Sequence, residues 1–214
     1  MKTDPERFIL DNTSVMTPPH VPEIRLHLAD EAHDLWHKTE EELQEAGLPP
    51  PFWAFAWAGG QGLARHVLDH PEIVAGKHVL DFASGSGLVA IAAIKAGARS
   101  VLAVDIDPWT RTAVGLNSRL NDVAIDFSDS DMIGSAIDAD VLLAGDVFYD
   151  KSFADRLIPW FEALTKAGVA VIVGDPGRSY CPRDHMQALA TYQVPVTRAL
   201  EDAEVKKTTV WQFI

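Results

Sequence analysis

Two short segments concentrate the residue types from which a reaction could be built. The first runs Asp81-Phe-Ala-Ser-Gly85-Ser-Gly87-Leu-Val-Ala90. Its glycines permit a tight turn and a close backbone approach, and the helical pattern that follows offers free N–H groups at its N-terminus. Twenty positions after Gly85, Asp105 closes the next apolar run, where a carboxylate can accept both hydroxyls of a ribose. A nucleotide site is expected here, with Ala83, Ser84, Gly85, Ser86 and Gly87 forming the turn around the ligand. Ile106 is positioned to cover one adenine face, and Asp107 to add a polar contact. Ser130 and Asp131, beyond a weaker strand, either reach the adenine edge or serve as ordinary loop residues.

Which nucleotide binds is a narrower question, because Gly85-x-Gly87-x-x-Ala90 also fits the dinucleotide fingerprint. Three features favour S-adenosylmethionine over NAD. Asp81 lies at a strand end, four residues before Gly85, where a carboxylate can meet a cationic methionine portion but would repel a pyrophosphate. The spacer Ala83-Ser84 lengthens the turn past the tight junction of dehydrogenases. A closing hairpin matches the methyltransferase sheet, whose last strand is antiparallel. The bland reading of Asp81 is a turn residue that caps nearby amides.

The second segment is Val141-Leu-Leu-Ala-Gly145-Asp146-Val-Phe-Tyr149-Asp150. Ligand crevices in doubly wound sheets lie at the carboxyl ends of the strands, so Asp146 and Tyr149 are expected to face the transferred group. A carboxylate beside an aromatic ring suits a cationic amine, the acid pairing with the ammonium and the ring holding the alkyl chain. Lysine, with a reference pKa of about 10.4, must lose a proton before it attacks. Desolvation and a nearby sulfonium favour that loss, whereas Asp146 alone opposes it. Asp146 is therefore assigned capture and orientation first, and proton acceptance second. The competing readings are that Asp146 caps the following helix and that Tyr149 merely packs.

These residues need a scaffold, and the pattern supplies one. Strands are expected at His78–Phe82, Ser100–Asp105, Ala124–Phe127, Val141–Ala144 and Val169–Val173. Helices alternate with them at Leu88–Ala96, Trp109–Asn121 and Phe153–Thr165. That alternation gives right-handed βαβ units and a parallel sheet covered on both faces. Gln193–Ala199 and Thr208–Phe213, with a charged turn at Glu201–Glu204, complete it as a hairpin. The expected fold is α/β, a doubly wound Rossmann-like seven-stranded sheet with its last strand antiparallel. Proline clusters at 18–22 and 49–51 punctuate the N-terminal part. Residues 1–50 are expected to form an extension packed on the core, with an exposed acidic helix from Asp30 to Gly47, and residues 51–214 the methyltransferase domain.

Composition excludes several classes. Of 214 residues, 18 are Lys or Arg and 31 are Asp or Glu, giving a formal charge of −13 that repels phosphates and argues against nucleic acid as a partner. The single cysteine, Cys181, forms no internal disulfide and is read as a small loop residue. His66, His70 and His78 lack convergent metal spacing, so no metal is expected. No apolar run approaches the ~18 residues that span a membrane, and the start MKTDPERF has no targeting character, so a soluble cytoplasmic protein is expected. Trp57, in an aromatic-dense stretch beside Gly59-Gly60, is either core or part of a site, and the paired glycines point to a close backbone approach.

At these residues the chain resembles the seven-β-strand protein lysine methyltransferases, with their Asp-x-x-Tyr signature at Asp146 and Tyr149. More closely, it is similar to the electron transfer flavoprotein β-subunit lysine methyltransferase family, from roughly residue 22 to residue 213. The matching motifs are Trp53-Ala, Trp57-Ala-Gly-Gly-Gln61, Asp81-x-x-Ser-Gly85, Asp105-Ile-Asp-Pro108, Gly145-Asp-Val-Phe-Tyr-Asp150, Gly174-Asp-Pro-Gly-Arg178 and Thr209-Val-Trp-x-Phe213. The resemblance implies methylation of lysines on the flavoprotein β subunit, with a ribosomal stalk protein as a further substrate of bacterial members. It makes Trp57 a cofactor-side residue and Gly174–Arg178 part of a substrate rim, Arg178 as a plain surface charge being the alternative. A monomeric bacterial cytoplasmic enzyme is expected. Relatives often carry Trp-Pro where this chain has Trp57-Ala58, a change expected to loosen the lid over the cofactor. The rivals are a methyltransferase of small-molecule amines, a non-enzymatic binder that keeps the fold, and an NAD oxidoreductase.

Overall fold

The computed structural model describes residues 4–29, 50–196 and 203–214. Its centre is a seven-stranded sheet. The strands are β3 (His78–Phe82), β4 (Ser100–Val104), β5 (Asp126–Ser128), β6 (Val141–Gly145), β7 (Ala170–Asp175), β8 (Met186–Pro195) and β9 (Val205–Phe213). They lie in the order β5-β4-β3-β6-β7-β9-β8. Neighbours from β5 to β7 are parallel, whereas β9 runs antiparallel to both β7 and β8. A short hairpin of β1 (Ser14–Met16) and β2 (Leu26–Leu28) stands apart.

Period-2 alternation sorts each strand between two cores. Val79, Val101, Leu143 and Ile172 join one apolar cluster, and Leu80, Leu142, Val171 and Val173 join the other. The first cluster takes its cover from α2 (Ala58–Asp69) and α3 (Leu88–Lys95), with Val114 of α4 (Pro108–Leu120). The second is covered by α5 (Lys151–Lys166) through Leu157, Trp160, Phe161 and Leu164. Val21, Ile24, Leu26 and Leu28 belong to the first cluster, so the N-terminal residues share that core. They follow α1 (Pro5–Asn12), whose N-cap Asp4 accepts the Glu6 N–H.

The expected strands and helices after residue 77 are present with boundaries shifted by a few residues. The hairpin differs most. Its first strand begins at Met186, seven residues before the expected Gln193, because Met186-Gln-Ala-Leu-Ala reads as helical although it pairs along β9 with a bulge at Ala188–Ala190. The acidic segment from Asp30 to Gly47 and the first half of the turn at Glu201–Glu204 lie outside the described residues. No helix among the described residues is long and apolar enough to cross a membrane.

Helix α2 went unanticipated, because Gly59, Gly60 and Gly62 count against a helix. Space explains them. A Cβ on Gly174 would collide with the Gly59 carbonyl oxygen and lie 2.8 Å from Leu63 Cβ. A Cβ on Gly145 would lie 2.8 Å from Gly60 Cα. The first turn of α2 therefore rests backbone against backbone on the ends of β6 and β7. Gly174→Ala should lower the free energy of unfolding in denaturant titrations by about 2 kcal/mol or more, as overpacked cores do. Gly60→Ala, whose new methyl would meet only Val89 Cγ2 at 4.0 Å, should stay within about 1 kcal/mol of wild type. Equal losses at both positions would mean that the helix is not held by this contact.

Candidate active site

The nucleotide turn is wound tightly between β3 and α3. Ala83, Gly85 and Gly87 all take left-handed φ angles, of 53°, 50° and 77°. Asp105 ties the turn to the next strand: Oδ2 accepts the Gly85 N–H at 3.0 Å, and Oδ1 accepts the Asp107 N–H at 3.0 Å. Burial holds the Asp105 carboxyl above the usual carboxylate range. Asp107 caps α4 by accepting the Trp109 N–H at 2.9 Å, and burial pushes it up to about 6. Asp81 is fully buried on the α3 side of the sheet, where Oδ2 accepts the Ala90 N–H at 3.0 Å. Burial and then the nearby Asp105 charge push it up to about 8, against the lowering effect of that hydrogen bond. Ser86 is buried, and its carbonyl accepts from Asn117 Nδ2 at 2.8 Å. Ser84 Oγ is buried with no hydrogen-bond partner. Ile106 is 70% exposed beside this turn.

Asp81 thus performs the capping that the bland reading assigned it. The outer pair lies differently from the turn residues. The Ser130 N–H bonds within its own loop to Ser128 Oγ at 3.3 Å. Asp131 gives one oxygen to Arg156 at 2.7 Å and the other to the Ile133 N–H. Both residues behave here as loop residues on the surface.

The acceptor side begins where β6 ends. Asp146 takes a left-handed φ of 58° and is 8% exposed. Its N–H donates to the Gly174 carbonyl at 3.0 Å. Its carboxylate is enclosed: Oδ1 accepts from Arg178 Nη2 at 2.6 Å and Nε at 3.0 Å, and Oδ2 accepts the Gly60 N–H at 3.0 Å. Helix α5 is capped by Asp150, which accepts the Phe153 N–H at 2.8 Å, so the helix-capping reading of Asp146 fails. Arg178 is no plain surface charge. Its N–H and that of Gly177 donate to Asp175 Oδ1 at 2.9 and 2.7 Å, and its guanidinium lies 5.9 Å from the Trp57 ring centroid.

Aromatic rings cluster on the Trp57 side of Arg178. Trp57, the N-cap residue of α2, donates its indole N–H to the Phe52 carbonyl at 3.0 Å. Phe52 packs 5.8 Å from both Trp57 and Tyr149. Tyr149 is half-exposed, and its hydroxyl is raised by partial burial and then by the charges of Asp105 and Asp150, so the phenol feels the nucleotide side of the crevice. Phe52 and the Gly60 amide were not singled out from the sequence. The paired glycines signalled a close approach without revealing its partner.

The remaining candidates stay structural. Cys181 is pushed up to about 12 by burial and by Asp175, which removes it as a nucleophile. His66 bonds Tyr192 and His78 bonds Ser100 through their side chains. Among the described residues, no group of three or more His, Cys, Asp or Glu could hold a metal.

The sheet order, the glycine turn closed by a strand-end acid, and Asp146 at the end of β6 are those of a Rossmann-like methyltransferase. Magnesium protoporphyrin IX methyltransferase from Synechocystis PCC 6803, solved with bound SAM, superposes with a TM-score of 0.52 at 13% identity, covering 87% of this chain and all of that one, and so shares the fold. The family model for ribosomal protein L11 methyltransferase (PrmA) matches residues 66–172. The electron transfer flavoprotein beta subunit lysine methyltransferase of Xenopus laevis is 40% identical over 99% of this chain and 87% of its own length. Its Homo sapiens counterpart is 34% identical over 98% of this chain and 83% of its own length. The chain belongs to the electron transfer flavoprotein beta subunit lysine methyltransferase family.

The buried Asp81 yields a test of this geometry. A carboxyl raised from 3.8 to about 8 on folding contributes stability that is complete below its unfolded value and is lost as pH climbs through about 8. Asp81→Asn keeps an oxygen for the Ala90 N–H and abolishes the titration. Its thermal midpoint, compared with wild type, should therefore improve steadily from pH 5 to pH 8. A difference that is flat with pH would show that Asp81 ionises freely in the folded protein.

Proposed function

We propose that this protein transfers methyl groups from S-adenosylmethionine to lysine ε-amines of the electron transfer flavoprotein β subunit. The observation that carries the reading is the placement of Asp146 and Tyr149 just after β6, with Tyr149 near enough to Asp105 of the glycine turn to feel its charge, in a chain whose relatives over nearly its whole length bear that name. The turn suits the cofactor. Ser84 Oγ is buried and unpartnered, a polar group in the turn available to a ligand. Asp105, with two acceptor oxygens held by backbone amides, would take the ribose hydroxyls, and Ala83 to Gly87 would line the methionine portion. Ile106 and Asp107 would flank the adenine, with Ser130 and Asp131 at its outer edge. Asp81 would face the cationic end, where a positive charge favours its ionised form.

Bound S-adenosylmethionine supplies a sulfonium-activated methyl: the amine lone pair forms the N–C bond as the C–S bond breaks toward sulfur, and the methylated ammonium then sheds one proton to water. The protein's share is position and exclusion of water. Trp57, Phe52 and Tyr149 form an apolar sleeve for the lysine stem, and Asp146 marks its end. Arg178 and the Gly60 amide already hold both oxygens of Asp146, so its role is first to orient the amine and only second to accept a proton. The half-exposed Tyr149 and Phe52 suit contact with a protein surface better than enclosure of a small amine. A monomer in the bacterial cytoplasm is the setting we infer. The match to the L11 methyltransferase model makes a ribosomal stalk protein the second substrate to try.

The test incubates labelled S-adenosylmethionine with purified electron transfer flavoprotein and locates the label by mass spectrometry. Label should appear on β-subunit lysines and fall by about 10²-fold or more with Asp146→Asn, the scale expected when a reacting group is misplaced. Label on the stalk protein or on free amines, with none on the flavoprotein, would overturn the substrate.

A further inference from the structure

Arg178 stands where two attractions for a cation converge. Its guanidinium places two N–H groups on Asp146 Oδ1 and lies over the Trp57 ring, while its side chain remains only 22% exposed. The loop is built to hold it there. Asp175 Oδ1 gathers the N–H groups of Gly177 and Arg178, and Gly177 takes a φ of 95° that turns the chain back over the strand ends. Gly60 grips the opposite oxygen of Asp146 from the first turn of α2. The carboxylate, the guanidinium and the indole are thus fixed as one unit on three elements.

An incoming lysine ammonium would compete poorly for this place. It offers one point charge against a planar fork that already makes two bonds, so the ion pair should persist when substrate enters. A pair that persists changes which form of the amine fits. Beside an unpaired carboxylate an ammonium is favoured, whereas beside a neutralised one with a guanidinium exposed to it, the uncharged amine is favoured. Charged groups near the pair include Asp175 at the end of β7, which feels the Arg178 charge, and Arg183, whose guanidinium lies near Gly177 in the same loop. Tyr149 faces from the loop after β6.

We propose that Arg178 is a positioning residue for methyl transfer, which fixes Asp146 and Trp57 and admits the substrate lysine as the neutral amine. The assignment rests on the proposed lysine-methylating function and deepens it.

The experiment measures kcat and kcat/KM for methylation of intact electron transfer flavoprotein from about pH 6 to about pH 10, at saturating S-adenosylmethionine, for wild type, Arg178→Met and Arg178→Lys. S-adenosylhomocysteine affinity by calorimetry and thermal midpoints are recorded alongside. Arg178→Met should lose about tenfold or more in kcat near neutral pH, and its acidic limb should move up by about one pH unit as unpaired Asp146 retains the ammonium. Arg178→Lys keeps the charge, so its limb should stay at the wild-type position while kcat falls less. Product affinity within about threefold of wild type would separate the effect from collapse of the site. A fall in kcat with an unmoved limb in Arg178→Met would reduce Arg178 to a structural role. A lower KM with faster turnover would mean that Arg178 obstructs the lysine. Either result overturns the inference alone. Wild type that leaves the flavoprotein unlabelled at every pH overturns the substrate assignment together with the inference.

Discussion

The contact on which this structure depends is between two backbones. Gly59 and Gly60 at the start of α2 touch Gly145 and Gly174 at the ends of β6 and β7 with no side chain between them. A helix seated that closely delivers its unpaired N–H groups to the strand ends, where side chains of ordinary size would hold it several ångströms away. The Gly60 amide reaches Asp146 for this reason. The same seating fixes Trp57, the residue that caps the helix, over Arg178. It continues along the helix, where Gly62 lies against Thr208 and the Ala58 carbonyl accepts from the Thr208 hydroxyl, so that β9 is registered against α2 as well.

Around this contact the crevice is organised by carboxylates that spend their bonds on main-chain amides. Asp81 holds the first turn of α3, Asp105 the glycine turn, Asp107 the start of α4, and Asp175 the loop that carries Arg178. Burial raises every one of them above the ordinary carboxylate range. Removing an acid from water is costly, and fixed N–H dipoles offset only part of that cost. What remains is a site with a standing appetite for positive charge. A chain of formal charge −13 extends that bias over its surface, while Arg178 is a cation drawn in beside Asp146.

The strand and helix alternation from His78 onward was legible because each strand is a short apolar run bounded by glycine or acid, and buried parallel strands read that way. The glycine turn, Asp105 and the Asp146–Tyr149 segment were legible for a related reason: they sit directly after those runs, and topology puts strand ends in the crevice. Helix α2 was not legible, since its glycines answer a demand for space set by residues 86 and 115 positions away. The partner of Asp146 was hidden in the same manner. Nothing local marks Arg178 as the group that will meet a carboxylate 32 residues earlier. The partner of Asp131 was likewise not legible, because position in a loop says little about direction, and Arg156 lies 25 residues further on.

Asp146 holds its φ of 58° in a region where side chains normally clash with the backbone. Glycine enters that region freely, and asparagine and aspartate visit it because their short polar side chains can bond locally. Glutamate has no such relief, and the wall formed by Gly59 and Arg178 would not admit its additional methylene. The acid at this position is therefore irreplaceable by its nearest chemical cousin. An amide would fit the space and tolerate the backbone, yet its NH2 would be turned against the Gly60 N–H or the Arg178 guanidinium, where only an acceptor belongs. One side chain thus answers at once to a backbone angle, a volume and three donors.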